Sequence, residues 1–154
     1  AAETVGVHPQ LILASTKHEE LKLWRQFAPR SRTLHWMGGP RNWTSPSTDP
    51  ATDPQAQLAQ RLEALRAVRF AGIDQLQIHV NTSPEGVFFP SETFLRETGR
   101  ALRERGILFQ TLPWGKNDPR VFHRLLDLGC ASFATDFPDA AMEAIRGYYQ
   151  RPRD

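Results

Sequence analysis

The side chains that could do chemistry lie far apart, and their spacing limits what that chemistry can be. His79 and Asn81 stand two apart in an apolar-rich run, so on a strand they share one face. An imidazole and a carboxamide there can line a polar site, or serve as satisfied groups in a core. Trp114 and Asn117 follow a second apolar run, separated by Gly115 and Lys116. A tryptophan at a strand end offers a flat apolar wall with one N–H donor, or simply plugs a gap. Asn117 could bond a ligand, but in Asn-Asp-Pro it is also an ordinary turn residue. Lys17 and His18 follow the first apolar run, where Lys17 could meet a phosphate or stand in solvent. His35 and Trp36 repeat the His79 pattern more weakly, and His8 and His123 look incidental. The five histidines show no short ligand spacing, which argues against a self-contained metal site. Cys130 is the only cysteine, so it excludes an intrachain disulfide and reads as inert packing.

The elements that must position these residues alternate short apolar runs with longer amphipathic ones. Strands are expected at 11–14, 33–37, 74–80, 107–112 and 130–134. Helices are expected at 18–27, 55–70, 91–105, 119–128 and 138–148. Ser91 is the expected cap of the third helix, and Pro119 opens the fourth, where a missing N–H costs least. Gly72 and Gly106 read as helix stops, and Asp136, two residues before Pro138, as the cap of the last helix. The apolar stripes Leu21, Leu23, Trp24, Phe27 and Leu58, Leu62, Leu65, Val68 read as core. Residues 38–54, rich in Pro, Ser, Thr and Asp and containing Trp43, read as a long loop, and 81–86 as a short one.

Strict strand–helix alternation implies a parallel α/β sheet. Five units in 154 residues average roughly 31 residues each, the unit length of a (β/α)₈ barrel. An open doubly wound sheet fits the same count. With 40% apolar residues, 154 residues suffice for one buried core and a single domain, 1–154. Nineteen Lys+Arg against seventeen Asp+Glu are spread along the chain as solvated helix faces, so no nucleic-acid footprint is expected. No apolar run approaches the roughly 20 residues of a membrane span.

The last third carries a resemblance. Residues 106–118 end in Leu112-Pro113-Trp114-Gly115-Lys116-Asn117-Asp118, and Thr135-Asp136-Phe137-Pro138 follows one helix later. This resembles the C-terminal part of the glycerophosphodiester phosphodiesterase family, whose seventh strand ends in a Trp-Thr-Val-Asn-like motif and whose eighth ends in Thr-Asp-hydrophobic-Pro. Trp114, Asn117, Thr135, Asp136 and Pro138 fall on those positions. Residues 11–36 are similar to the family's fourth strand and helix, with Leu21 and Pro29 in place. The similarity is weakest over 37–90. Thr16 stands where the family usually has an aromatic, and Gly115-Lys116 depart from the tryptophan motif.

The resemblance implies an incomplete TIM-barrel-like (β/α) fold of about five units, corresponding to strands four to eight. It implies a family of metal-dependent phosphodiesterases, in which a divalent cation (Mg²⁺ or Ca²⁺) polarises the phosphate and a histidine pair performs acid–base chemistry. In the family an N-terminal His-Arg-Gly, a second His and several carboxylates on the first three strands do this work. No His-Arg-Gly occurs in this sequence. The chain is therefore expected to bind no cation alone and to hold no catalytic residue. It would contribute substrate contacts for a glycerophosphodiester, namely Trp114, as a wall for the glycerol or alcohol moiety, with Asn117, His79, Asn81 and Lys17. The open strand edges would be covered by another segment of the polypeptide or by a second copy. Two other readings stand beside this one. The first is a non-catalytic truncated barrel acting as a binding or assembly module. The second is a small doubly wound phosphate binder, which lacks a Gly-rich loop after a strand.

Overall fold

The computed structural model describes residues 10–38, 49 and 53–150. Among them the chain forms β1 (Ile12–Ser15), α1 (His18–Phe27), β2 (Arg32–Trp36), α2 (Pro54–Ala67), β3 (Gln75–Thr82), β4 (Phe88–Phe89), α3 (Glu92–Arg103), β5 (Leu108–Pro113), α4 (Pro119–Asp127), β6 (Ser132–Phe133) and α5 (Pro138–Gln150). Hydrogen-bonded neighbours run β1-β2-β3-β5-β6, the order of the chain itself. A doubly wound sheet would reverse that order at a switch point, and no reversal occurs among these strands. β4, between the expected loop at 81–86 and the expected helix at 91–105, pairs antiparallel with the end of β3. The described residues fall into two compact units, one ending at Ile78 and one beginning at His79, so β3 belongs to both.

In the first unit α1 matches its expected span, but only Leu21 of its stripe is fully buried; Leu23 and Phe27 are exposed at 53% and 72%. The expectation that this whole stripe is core is corrected. α2 starts on Pro54, with the Asp53 carboxylate accepting from the Gln55 and Ala56 amides at 3.3 and 3.0 Å. Leu58, Leu62 and Leu65 are buried, while Val68 lies past the helix end and is exposed. Gly72 is not the stop: the chain leaves α2 through Arg69 and Phe70, both at φ 54°. Left-handed backbone costs about 1–2 kcal/mol per residue. Burying Phe70 offsets a comparable amount, about 1.5–3 kcal/mol.

Asp74, immediately before β3, ties this unit together. Its carboxylate accepts from the Arg25 guanidinium of α1, from Arg32 Nη1 at 3.3 Å and from the Thr33 amide at 2.8 Å. The Thr33 hydroxyl donates to the Gly72 carbonyl at 2.6 Å and accepts from the Asp74 amide at 3.2 Å. Burial pushes the Asp74 carboxyl up, but the Arg25 and Thr33 bonds outweigh it and hold it below its ordinary value.

In the second unit Ser91 caps α3 as expected, its hydroxyl accepting from the Phe94 amide at 3.4 Å. α3 packs at backbone distance: a Cβ on Gly99 would stand 2.7 Å from the Leu128 carbonyl oxygen. α4 starts on Pro119, capped by the Asp118 carboxylate on the Arg120 amide at 2.9 Å. Phe122 and Phe133 meet edge to face at 5.1 Å, beside Ala141 and Ala144 of α5. At the approach to α5 the Thr135 hydroxyl accepts from the Phe137 amide at 3.0 Å, a local turn before the helix, and no hydrogen bond of the expected Asp136 cap is seen among the described residues. β6 is shorter than expected, spanning 132–133. No helix among the described residues is long and apolar enough to cross a membrane.

Replacing Asp74 by alanine leaves Arg25 and the Thr33 amide without their acceptor in a mostly buried place, which costs about 2–4 kcal/mol. Because the folded carboxyl titrates below its ordinary value, its contribution is full above the unfolded pKa near 4 and is lost as pH falls through the folded one. Urea unfolding of wild type and Asp74→Ala should therefore differ strongly at pH 7, and the difference should shrink as pH falls through the titration of the folded carboxyl.

Candidate functional site

β3 sorts its side chains into two chemistries. Leu76, Ile78 and Val80 are fully buried on one face, while Gln75, Gln77, His79 and Asn81 alternate on the other. The strand runs two residues beyond its expected end, because Asn81 and Thr82 pair with Phe89 and Phe88 of β4. Asn81 therefore lies inside the strand, on the His79 face. The complete polar alternation, Gln75, Gln77, His79 and Asn81, is present in the sequence at a strict period of two.

Trp114 directly follows β5, and its amide donates to the Val80 carbonyl at 3.1 Å. That bond seats the indole beside His79. The two rings meet edge to face with centroids 5.1 Å apart at 89°. His79 and Asn81 are each about 5% exposed, while Trp114 is partly exposed. Of the sequence-derived site residues, His79, Asn81 and Trp114 thus gather at the C-terminal ends of β3 and β5. This is the end where barrel enzymes build their sites.

Asn117 does not join them. It lines a separate cavity of about 600 Å³, walled by Thr82, Ser83, Lys116, Asp118 and Arg120 among others. Arg124, which the sequence did not flag, organises this rim. Its guanidinium donates to the Gly86 carbonyl at 2.7 Å and to Glu92, and it lies 4.1 Å over the Phe88 ring. No local pattern marks Arg124, since its partners are 32 to 38 residues away.

Lys17 belongs to the first unit, exposed at the end of β1 and paired with Glu20 at 3.2 Å. The Ser15 hydroxyl and Lys17 hold the Glu20 carboxyl below its ordinary value. His18 Nε2 lies 2.6 Å from the Ala71 carbonyl, and its ring meets His35 at 6.1 Å. His35 pairs in register with Leu76 and so takes the face opposite Trp36, which pairs with Gln77. Burial, then His18 and Arg61, push His35 down to about 4. It is a buried neutral histidine.

His123, which looked incidental, places Nε2 2.8 Å from the Ala144 carbonyl and joins α4 to α5. The Cys130 thiol is buried, 3.1 Å from the Thr111 hydroxyl and 2.9 Å from the Ser132 carbonyl. Burial raises its pKa to about 11, in keeping with inert packing. Trp43 and His8 lie outside the described residues.

Residues 3–140 match the pattern of the glycerophosphoryl diester phosphodiesterase family. Among solved structures, the chain is similar to a glycerophosphodiester phosphodiesterase from Parabacteroides distasonis ATCC 8503, with TM-score 0.55 and 14% identity over 97% of this chain and 48% of that one. It is also similar to a protein from Silicibacter pomeroyi DSS-3 assigned as a glycerophosphoryl diester phosphodiesterase, with TM-score 0.57 and 16% identity over 95% and 41%. A third likeness, to the Escherichia coli homocysteine methyltransferase MmuM, has TM-score 0.50 and 12% identity over 90% and 49%. At these identities the likeness is one of fold: a partial TIM-barrel-like α/β arrangement. The chain spans about half the length of each of these structures. No curated protein matches the sequence.

His35 supplies a pH test of this geometry. The unfolded imidazole takes up a proton near pH 6.5, whereas the folded one resists until about 4. The stability it contributes is full above pH 6.5 and is lost as pH falls toward 4, a loss of about 2–3 kcal/mol. His35→Gln should flatten the stability profile across that window, as read by urea unfolding at pH 7.5, 5.5 and 4.5.

Proposed function

Because the chain belongs to the glycerophosphoryl diester phosphodiesterase family, we propose that it forms the substrate-holding part of a phosphodiester-hydrolysing barrel. Trp114 and His79 wall the alcohol side of a glycerophosphodiester, and Asn81 bonds its polar groups. The observation that carries this reading is the edge-to-face contact of His79 and Trp114 at neighbouring strand ends. A wall of two rings suits a small alcohol whose carbons need apolar cover and whose hydroxyls need partners. Asn117 stands one loop further out, and Lys17, whose surface pairing with Glu20 is readily exchanged for a phosphate, belongs to the rim of the first unit.

Such hydrolysis would use a divalent cation, Mg²⁺ or Ca²⁺, to polarise the phosphate. Among the described residues, no three His, Cys, Asp or Glu side chains group closely enough to hold one. The strand ends offer an imidazole, a carboxamide and an indole, which do not fit a hard cation that takes carboxylate oxygens. His-Arg-Gly is absent from these 154 residues. The contribution is binding and orientation.

A second reading, a non-catalytic assembly module, draws on the first unit. Ile12 on β1 is 52% exposed, and among the described strands β1 is the end of the sheet and pairs with β2, so this edge is open to a further strand or a second copy.

The test is a titration of the ¹⁵N-labelled chain with sn-glycero-3-phosphocholine. The Trp114 indole resonance, assigned by its loss in Trp114→Phe, should shift as ligand is added; an unmoved resonance at saturating diester overturns the reading. With Mg²⁺ or Ca²⁺ present, diester hydrolysis should not exceed that of buffer with the same cation. Turnover above it would place catalytic groups within this chain.

A further inference from the structure

We propose that Arg124 is a positioning residue for the substrate site: through β4 it fixes the end of β3, and with it the Asn81 carboxamide. This rests on the substrate-holding role above and names a residue outside the wall that sets its affinity. Arg124, β4 and Asn81 all lie in the second unit.

Asn81 stands where β3 changes neighbours. Among the described residues, pairing with β2 reaches only as far as Gln77. The Val80 carbonyl is taken by the Trp114 amide. A strand directs the backbone groups of alternate residues to opposite edges, so Asn81 offers its own to the edge away from Trp114. Phe89 of β4 pairs with it, and Phe88 pairs with Thr82. A strand of two residues is far too short to hold itself in register. Something outside β4 must hold it.

Arg124 does so from α4. Its Nη1 donates to the Gly86 carbonyl at 2.7 Å, in the turn that leads into β4. Its Nε donates to Glu92 at 3.1 Å, in the first turn of the helix that follows β4. Its guanidinium lies 4.1 Å over the ring of Phe88, within β4 itself. One planar cation thus grips the segment before β4, the strand and the helix after it, which a lysine ammonium cannot span. The turn closes on itself through Ser83, whose amide donates to the Val87 carbonyl at 2.9 Å. Arg124 fixes where that closed turn sits. Phe88 and Phe89 are buried, so a shift of β4 repacks both rings and is passed to their partners on β3.

The test measures the affinity of the whole chain for sn-glycero-3-phosphocholine by the Trp114 indole titration, together with amide hydrogen exchange, where every variant is folded. Arg124→Met should weaken binding about fivefold to tenfold and speed exchange of the Ser83 amide. The Trp114 amide, bonded to Val80, should keep its protection. Asp74→Ala, which loosens the first unit without touching β4, should leave the affinity unchanged. Gly86, at φ 83°, gives a second approach to the same contact: Gly86→Ala strains the turn and should weaken binding in the same direction, so a misfolded Arg124→Met does not end the test. Wild-type affinity or unchanged Ser83 exchange in the folded variant, or an equal loss in Asp74→Ala, overturns the positioning role and leaves the substrate-holding role standing. If the wild type binds no diester, the substrate-holding role fails and the positioning role with it.

Discussion

Successive side chains of a β-strand leave opposite faces, and on β3 that rule separates two chemistries that cannot be exchanged. Leu76, Ile78 and Val80 are fully buried, while Gln75, Gln77, His79 and Asn81 stand on the other face. A slip of one residue would bury four polar groups in the apolar layer and turn three aliphatic side chains toward the polar face. Each buried polar group without a partner costs about 1–3 kcal/mol. The register of β3 is therefore strongly specified. The seat of Trp114 follows from it, because the indole is positioned through a bond to the Val80 carbonyl.

Two guanidinium–carboxylate junctions stiffen the elements around that strand, one in each unit. Asp74 joins α1 to the start of β2 and β3 through Arg25, Arg32 and Thr33. Arg124 joins α4 to α3 and to the loop before β4. In both, one planar group bonds several partners, so removing it affects more than one element. The first lies at strand N-termini, which in barrels serve stability, and the second beside strand C-termini, which serve ligands.

What could be read from the sequence was what local physics decides. The span of α1, the Ser91 cap and the Pro119 start follow from periodicity and turn chemistry acting over a few residues, while the sequential order of the strands rested on the family resemblance. The departures share a different cause. β4 exists because Phe88 and Phe89 pair with Thr82 and Asn81, and two residues carry no strand pattern of their own. Leu23 and Phe27 match the helical period, yet nothing among the described residues of their unit covers them. For the site, the His79–Asn81 pairing on one face was legible because the strand repeat is strictly two. The separation of Asn117 from Trp114 was not, since the two intervening loop residues can turn either way. His35 and Trp36 look like one feature in sequence but belong to opposite faces.

The buried thiol of Cys130 has a chemical consequence of its own. With its pKa near 11, on the order of one molecule in ten thousand carries the thiolate at pH 7. In the folded chain, alkylating and oxidising reagents meet almost no nucleophile, and the sulfur is also sterically screened. Covalent capture then waits for the region around β5 and β6 to open, so the modification rate counts those openings. The single cysteine makes the chain its own clock for local unfolding, with no probe to be engineered in.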